Sequence, residues 1–265
     1  MSRLNSLWVG NKIGWIEELC LRSAIATGHS FTVYSYKPDE LRDLPPGVDL
    51  ADAREVMPEN LLLRYADSGA VQLGSNLFRY HLLQRSLGCW VDMDFYFIKR
   101  LHLTDDYVFG YERKDSINSA ILKIPATSEM LRIIFRQMRP NIRPPWYGPK
   151  RTLLYYSRRI KNGPIKIEDL PWGTFGPQLV TYAARKSGTQ HYAQEQSVFY
   201  PVAYDQVGLF LEPADRARDK VERENTVAIH LYRSALVRLL KTSALPTTSY
   251  LADACKRLGV TSTDL

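Results

Sequence analysis

Apolar and polar positions near the start of the chain follow first a strand pattern and then a helix pattern. Residues 4–10 form a short apolar run that ends at Gly10, and residues 31–36 are β-branched and aromatic. Between them, residues 14–27 place apolar and small side chains near helical spacing, with Gly28 as a terminator. The pattern predicts a strand–helix–strand unit, the usual start of an α/β sheet.

The same patterns continue towards the middle of the chain. Residues 38–58 are rich in Pro, Gly and Asp and predict a loop with a short strand. Ser75 to Leu87 predicts a helix with Ser75 as its N-cap and Gly88 just past its end. The apolar run Cys89–Ile98 follows and predicts a strand.

Strands and helices also alternate in the second half of the predicted order. Residues 140–150, PNIRPPWYGPK, hold four prolines and interrupt regular structure. The other predicted elements are strands at 107–112, 119–124 and 226–232 and helices at 128–138, 151–160, 176–187 and 247–258. We therefore expect a single α/β domain over residues 1–265, with a mixed, mainly parallel sheet between helices.

Composition excludes several classes of protein. The 265 residues can bury a substantial core. The sequence contains no run of about 18 apolar residues, so no membrane span is predicted. The opening MSRLNSLWVG lacks the apolar segment and cleavage site of a secretory signal. Cys20, Cys89 and Cys255 are far apart and include no CxxC pair, so neither a zinc site nor a disulfide framework is predicted. A reducing compartment, the cytoplasm, fits best.

Positive charge is concentrated in one segment. The net charge is +7, and residues 130–167 contain ten Arg or Lys and no Asp or Glu. This basic segment is either a solvated face or a surface for an anionic partner. Aromatic residues are interleaved with its cations, which suits a lipid interface or stacking on bases. No nucleic-acid-binding motif accompanies them, which makes nucleic acid the less favoured of these two partners and leaves an anionic membrane surface open.

Two aspartates interrupt an otherwise apolar and aromatic stretch, CWVDMDFYFIK at 89–99. In a strand, Asp92 and Asp94 would point to the same side, about 6–7 Å apart at their Cα atoms. An isolated buried carboxylate is unfavourable by several kcal/mol unless it is paired. Two carboxylates, together with water and phosphate oxygens, suit Mg²⁺ or Mn²⁺. The pair predicts a cation site that neutralises a diphosphate, and the alternative is a strand end that emerges into solvent.

The residues around this pair resemble the core of the DXD-motif sugar transferases. These are glycosyltransferase family 32, of the α-1,4-galactosyltransferase and initiating α-mannosyltransferase types. The family pattern is a polar residue, an Arg three positions on, an aliphatic helix, a glycine turn and an aliphatic-Asp-x-Asp group. Within residues 75–101 these features are Asn76, Arg79, Leu82-Leu83, Gly88 and Val91-Asp92-Met93-Asp94.

Other segments resemble the family in the same order along most of the chain. They are LWVGNKIGWIEELCLRSAIATGHSFTVYSY, INSAILKIPATSEML, GTFGPQLVTYAARK, SVFYPVAY and TVAIHLYRSAL. The chain departs from the pattern at Cys89, which replaces the second glycine of the turn, and at Asn76, where relatives often carry Asp. Tyr232 also stands where many relatives have Trp, and the basic segment resembles a distinctive insertion.

The resemblance implies a GT-A-type, Rossmann-like fold in a single domain. A nucleotide-sugar-binding half would span about 1–125 and an acceptor half about 126–265. The implied activity is metal-dependent transfer of a sugar from a nucleotide-diphosphate donor to a saccharide or lipid-linked acceptor, with retention. The donor is a UDP-sugar, with a GDP-sugar as runner-up, and the cofactor is Mn²⁺ or Mg²⁺. With the basic segment, this predicts a cytoplasmic protein that is peripheral at the inner membrane face.

Each residue of the implied site has a role in the family and a plain structural alternative. Arg79 would contact the donor's sugar or diphosphate, or else be a surface charge or a partner of an aspartate. The remaining roles are metal ligands at Asp92, Asp94 and His230, a sugar contact at Asn76, and a base pocket at Trp8, Gly10 and Tyr36. His230 and Trp8 are otherwise core residues, and Asn76 is otherwise only the first turn of a helix.

Later residues are assigned less specific roles. Asn118 and Ser119 would face the donor sugar or the acceptor, and Gly176 with Pro177 would begin a helix near the acceptor. Glu195 and Asp205 are carboxylates that could assist the acceptor, and the sequence does not choose between them. No carboxylate is an obvious nucleophile, so front-face attack through an oxocarbenium-like state is favoured over a covalent intermediate.

Two other functions stay open from the sequence. The chain could be a non-catalytic basic module that binds membrane or nucleic acid, or an inactive family member that binds a nucleotide sugar without transferring it. The intact pair of aspartates favours catalysis over both.

Overall fold

The structure opens with the predicted strand–helix–strand unit. The computed structural model describes residues 3–262. The strands are β1 (Leu4–Trp8), β2 (Phe31–Ser35), β3 (Val48–Asp52), β4 (Cys89–Val91), β5 (Phe95–Phe97), β6 (Tyr111–Arg113), β7 (Ser116–Ile117), β8 (Ile121–Leu122) and β9 (Ala228–His230). The helices are α1 (Trp15–Ala26), α2 (Gln72–Gln84), α3 (Glu129–Gln137), α4 (Pro149–Asn162), α5 (Pro177–Lys186), α6 (Gln196–Phe199), α7 (Ala214–Val221), α8 (Arg233–Leu240) and α9 (Tyr250–Leu258).

Five strands form the central sheet in the order β3-β2-β1-β4-β8. The first four of these run parallel, and β8 lies antiparallel to β4 at one edge. β1 and β2 are buried along nearly their whole length, as expected for strands covered on both faces. The protein is therefore α/β, with a mixed, mainly parallel central sheet flanked by helices, as the sequence predicts.

The two faces of the sheet bury separate apolar clusters because successive side chains of a strand point in opposite directions. In β4, Val91 packs with α1, α9 and the β5–β9 ribbon, whereas Trp90 packs with α2, α3 and α5. β1 divides in the same way, with Leu4 on the first face and Leu7 on the second. Trp90 and Val91 lead directly into the aspartate pair, so that pair is anchored by both clusters.

One predicted strand is wrong: Cys89–Ile98 is two strands joined by a turn. Asp92 continues the ladder only through its N–H, which donates to Ala120 O at 2.7 Å. Met93 and Asp94 then turn the chain out of the central sheet, and β5 begins a separate antiparallel ribbon with β9. Asp92 therefore precedes the turn and Asp94 lies in it, and the two do not follow the i, i+2 geometry of one continuous strand.

Both ends of α2 differ from the prediction: the helix spans Gln72–Gln84, and Gly88 lies four residues past its end. The helix begins at Gln72, so Ser75 lies inside its first turn and is not its N-cap. The helix begins before Ser75 because Gly74 allows the 62–63 backbone to lie against it. The Gly74 N–H donates to Leu63 O at 2.8 Å, and a Cβ on Gly74 would lie 2.9 Å from that oxygen. The close approach of the 62–63 segment thus holds the helix start in place.

The observed bounds of several further helices agree closely with the prediction, whereas those of the later strands do not. α1, α3, α5 and α9 lie within the predicted ranges, and Ser128 caps α3 by accepting from Leu131 N at 3.2 Å. The predicted strands at 107–112, 119–124 and 226–232 contract to short pieces at β6, β8 and β9. The sequence did not predict α6, α7 or α8. α7 buries only Ala217 and Val221 in a highly charged helix, and this apolar stripe is too narrow to indicate a helix by itself.

The described residues contain no helix that is both long and apolar enough to cross a membrane. The three cysteines are buried free thiols.

Replacing Gly88 by Ala is expected to destabilise the protein by about 3 kcal/mol, because a strained backbone and a steric clash act together. Gly88 has φ +126°, and a Cβ there would lie 2.3 Å from Arg3 O, where β1 and β4 begin side by side. Urea denaturation measures the change. Gly188→Ala is the matched control: φ is +74° but nothing lies within 4 Å, so only the left-handed backbone contributes, about 1 kcal/mol. Equal losses for the two variants would contradict the clash.

Candidate functional site

The β5–β9 ribbon brings the late histidine to the aspartate pair. Phe95 lies opposite His230 in this antiparallel pairing, and Leu231 N donates to Asp94 O at 2.9 Å. The His230 ring stacks on Phe95 with centroids 4.8 Å apart. Ligand atoms of Asp92, Asp94 and His230 consequently all lie within 4.8 Å of one another. The structure thus brings together the three residues that the resemblance assigned to a metal.

Asp92 is held through one of its two oxygens. Its Oδ1 accepts from Arg79 Nη2 at 2.7 Å and from Trp90 Nε1 at 2.6 Å. The Arg79 guanidinium also lies over the Trp90 ring, 4.8 Å from its centroid, and Arg79 is only 4% exposed. Within the described residues, Asp92 Oδ2 receives no hydrogen bond, so this oxygen is the one available to a ligand.

Arg79 is therefore a buried partner of Asp92 and not a surface charge. It projects from α2, one helical turn after Asn76, which is 7% exposed. The burial of Arg79 excludes the surface-charge alternative, and its ion pair with Asp92 is the other structural alternative that the sequence left open. Whether Arg79 also contacts a donor stays a prediction.

Asp94 is held by the other half of the chain. Its Oδ1 lies 3.2 Å from His230 Nε2, and its Oδ2 accepts from Arg233 N, the first residue of α8, at 2.9 Å. The Arg233 side chain in turn forms an ion pair with Glu17, a 1% exposed carboxylate on α1. Tyr232, between the histidine and α8, adopts left-handed φ 50°, which turns the chain sharply enough to place both contacts.

The surroundings shift the pKa values of the two aspartates in opposite directions. Burial raises the pKa of Asp92, and Asp94 adds to this, although Arg79 and His230 oppose it. Burial would raise the pKa of Asp94 as well, but His230 and the Arg233 N–H together bring it below its usual value. Burial opposes protonation of His230, yet the Asp94 carboxylate raises its pKa above 6.5. Neighbouring titratable groups whose pKa values are shifted in this way are typical of functional sites.

A divalent cation fits this donor set. Two carboxylates and one imidazole are suitable for Mn²⁺ and acceptable for Mg²⁺, and opposite ligands of a bound Mg²⁺ lie about 4.2 Å apart. The observed limit of 4.8 Å is wider than that spacing, so the three side chains would have to close slightly around an ion. Arg79 Nε, His230 Nδ1 and Tyr200 Oη are buried around the site and have no hydrogen-bond partner among the described residues. Buried polar atoms are nearly always satisfied, so these atoms indicate a place for a ligand or water.

A polar niche borders the aspartates on the α5 side. A Cβ on Gly176 would lie 3.5 Å from Ser119 Oγ and 3.8 Å from Asn76 Nδ2, so these three residues adjoin one another. Asn118 Oδ1 accepts from Ala120 N at 2.9 Å, which ties this strand to the carbonyl that receives Asp92 N. Asn76 and the 118–119 pair thus lie beside Arg79 and Asp92, as required of residues that would contact a sugar.

Trp8 and Gly10 lie together at the end of β1. The indole Nε1 donates to Lys12 O at 3.0 Å, and a Cβ on Gly10 would lie 3.1 Å from the same nitrogen. Tyr36 is 6% exposed, and its hydroxyl donates to Met57 O at 3.0 Å. Its ring packs edge-on against Phe78 in the apolar cluster that contains α2. Trp8 keeps partial exposure, whereas Tyr36 has little surface free for a base.

The remaining candidates lie in different surroundings. Pro177 is the first residue of α5 and Gly176 its N-cap, as predicted. Glu195 is exposed and accepts from Asn225 Nδ2 at 3.4 Å, and Asp205 is exposed at the start of a 3-10 turn. Neither carboxylate belongs to the Asp92–Asp94–His230 cluster.

Three residues of the site were not predicted from the sequence. Local patterns could have indicated Trp90 and Glu17, but not Arg233. Trp90 lies two positions before Asp92 and therefore on the same side of the strand. Glu17 lies three and seven positions before Cys20 and Ala24 on the buried face of α1, where a carboxylate requires a partner. Arg233 carried no local signal, because its contact with Asp94 spans 139 positions.

Protons are expected to compete with Mn²⁺ at His230. A histidine ligand must be neutral, so the Mn²⁺-dependent rise in Tm should be full above the raised pKa of His230 and shrink as the pH falls through it. Without metal the sign is opposite: the protonated His230–Asp94 pair stabilises the fold below the unfolded pKa and is lost as pH rises through the folded pKa. Thermal melts with and without Mn²⁺ across this range measure both trends.

His230→Gln is the control, since it removes the titrating ring while keeping a polar side chain. A Mn²⁺ shift that stays constant through the pKa of His230, or a His230→Gln variant with the same pH profile, would show that the ring does not bind the ion.

The sequence matches no protein-family model, and the search of curated proteins returned no match. Membership in the family that the motifs resemble is accordingly a proposal.

Proposed function

We propose that the chain is a metal-dependent glycosyltransferase of the GT-A type, similar to glycosyltransferase family 32. It would transfer a hexose from a nucleotide-diphosphate donor, with a UDP-sugar favoured, to a saccharide or lipid-linked acceptor. The observation that carries the proposal is the Asp92–Asp94–His230 cluster, with a buried arginine held against it. Paired carboxylates beside a fixed cation suit a diphosphate leaving group.

The central sheet supports the same reading. Ligands of open α/β sheets bind at the carboxyl ends of the parallel strands. β1 ends at Trp8, close to Gly10, and β4 ends at Val91, directly before Asp92; these two strands are neighbours. A nucleotide along the end of β1 would therefore extend its diphosphate towards Asp92. Trp8 and Gly10, at the end of β1, would then contact the base.

Each residue of the site would have a separate role in the reaction. A bound Mn²⁺ or Mg²⁺ would supply positive charge against the diphosphate as it departs. Arg79 holds Asp92 in position through Nη2, and its positive charge beside the cluster would help to stabilise the departing diphosphate. Arg233 N and His230 position Asp94. Asn76 and Ser119 would hydrogen-bond sugar hydroxyls.

Retention by front-face attack remains the proposed stereochemical course. Glu195 and Asp205 lie outside the cluster, and neither is a candidate nucleophile on geometry. Glu17 is buried and neutralised by Arg233, and burial raises its pKa. The acceptor hydroxyl would therefore approach on the same face as the leaving group, with the departing diphosphate as the base.

A thermal-shift panel of UDP- and GDP-sugars, with and without Mn²⁺, tests the proposal. A donor at about 100 times its Kd should stabilise the fold by about 2.7 kcal/mol, and only when Mn²⁺ is present. Released nucleoside diphosphate is then measured for the donor that binds. No response to any nucleotide sugar in the presence of Mn²⁺ would overturn the assignment.

The main alternative is a family member that binds a nucleotide sugar without transferring it. The departures from the family pattern at Cys89, Asn76 and Tyr232 favour it. A donor that raises Tm with Mn²⁺ but releases no nucleoside diphosphate with any acceptor would identify this case.

A further inference from the structure

Helix α4, at the centre of the basic segment, exposes a row of apolar side chains. Leu153, Tyr156 and Ile160 are 73%, 46% and 87% exposed. Spacings of three and four residues place them in one line along the helix, which we name the α4 stripe. Tyr155 is the only buried residue of α4, and its ring packs into the apolar cluster beneath the helix. This contact holds the helix with the α4 stripe turned outwards.

The α4 stripe is bordered by positive charge. Helical spacing places Lys150 and Lys161 along one side of it and Arg159 along the other. In the part of the chain that the structure describes, none of the five cations of α4 forms a salt bridge, and the helix itself contains no Asp or Glu. Arg132 and Arg136, in contrast, both pair with Glu129. The charge of α4 is therefore left for an external anion.

We propose that α4 lies in the plane of an anionic lipid bilayer, with the α4 stripe inserted at the headgroup boundary. An outward apolar row between cations is the pattern of an interfacial helix. A second copy is a poor fit, because a symmetric contact would set the five cations of one helix against those of another. Nucleic acid is also a poor fit, since Leu153 and Ile160 offer aliphatic surface that cannot stack on bases.

The docking face is connected to the candidate site through α5. Arg151 Nη1 donates to Gln178 Oε1 at 3.4 Å, which links α4 to the first turn of α5. That turn begins beside Asn76 and Ser119. A bilayer against α4 would therefore bring a lipid-linked acceptor to this side of the site. The membrane contact itself does not depend on sugar transfer.

Vesicle flotation with the full chain tests the proposal. The probes are vesicles of phosphatidylcholine alone and vesicles of phosphatidylcholine and phosphatidylglycerol in equal parts. We expect flotation with the anionic vesicles only. Ile160→Asp and Leu153→Asp should each lower partitioning at least about tenfold, because each removes an apolar side chain that would insert into the bilayer and adds a charge of the same sign as the lipid. Lys161→Gln should lower it about fivefold.

Leu61→Asp is the matched control, because Leu61 is 40% exposed and lies outside α4. It should float like the parent protein. All replaced side chains are exposed, so Tm should not change. The Mn²⁺ shift should also be unchanged, which separates this test from that of the proposed function.

Three results would overturn the proposal. One is equal flotation of Ile160→Asp and the parent protein. The second is no flotation with anionic vesicles. The third is that the parent protein binds no vesicles but self-associates or retains RNA, and that Ile160→Asp loses this activity.

Discussion

Asp94→Asn is expected to abolish the Mn²⁺-dependent rise in Tm and to lower sugar transfer by about 10³-fold, the scale seen when a transition-state charge loses its stabilising partner. The variant should still fold. The Asn oxygen can accept from Arg233 N, and its amide can donate to a neutral His230 Nε2, so both contacts of Asp94 keep a partner. The ion, however, loses an anionic ligand.

Thermal melts with and without Mn²⁺, together with release of nucleoside diphosphate, measure the two effects. Asp39→Asn is the matched control, since it makes the same chemical change at an exposed position and should leave both readouts unchanged. Full transfer by Asp94→Asn in the presence of a chelator would defeat the proposed role of the pair.

Arg79→Met should destabilise the fold by about 2 kcal/mol at neutral pH and remove transfer. Breaking a buried ion pair leaves an uncompensated charge, and the loss is moderated here because the Asp92 side chain keeps 33% of its surface exposed. Without Arg79, the pKa of Asp92 should rise further above its unfolded value. The penalty is then present when Asp92 is ionised and shrinks as the pH falls and the carboxyl takes up a proton.

Urea denaturation at neutral and at acidic pH measures this difference. Arg54→Met is the control, because Arg54 pairs with Asp52 and Glu59 at an exposed position, where ion pairs contribute little. A loss for Arg79→Met that is no larger than that of Arg54→Met, or that is the same at both pH values, would contradict a buried Arg79–Asp92 pair.

Local patterns were sufficient for much of the fold. α1, α3, α5 and the β1–α1–β2 unit follow from apolar periodicity, caps and glycines, which act over about four residues. The errors have physical causes of longer range. Gly74 shifts the start of α2 because the 62–63 backbone lies against it, and the strand at 89–98 divides because β9 pairs with its second half. Neither neighbour is near in sequence.

The sequence by itself determined the α/β class, the position of the aspartate pair and the basic composition of α4. These depend on residue type and short spacing alone. Only the tertiary structure decided that Asp92 is held by Arg79 and Trp90, that Asp94 is held by His230 and Arg233, and that the α4 stripe faces outwards. Such contacts depend on which distant segments pack together, because side-chain direction and burial are set by the whole core and not by neighbouring residues.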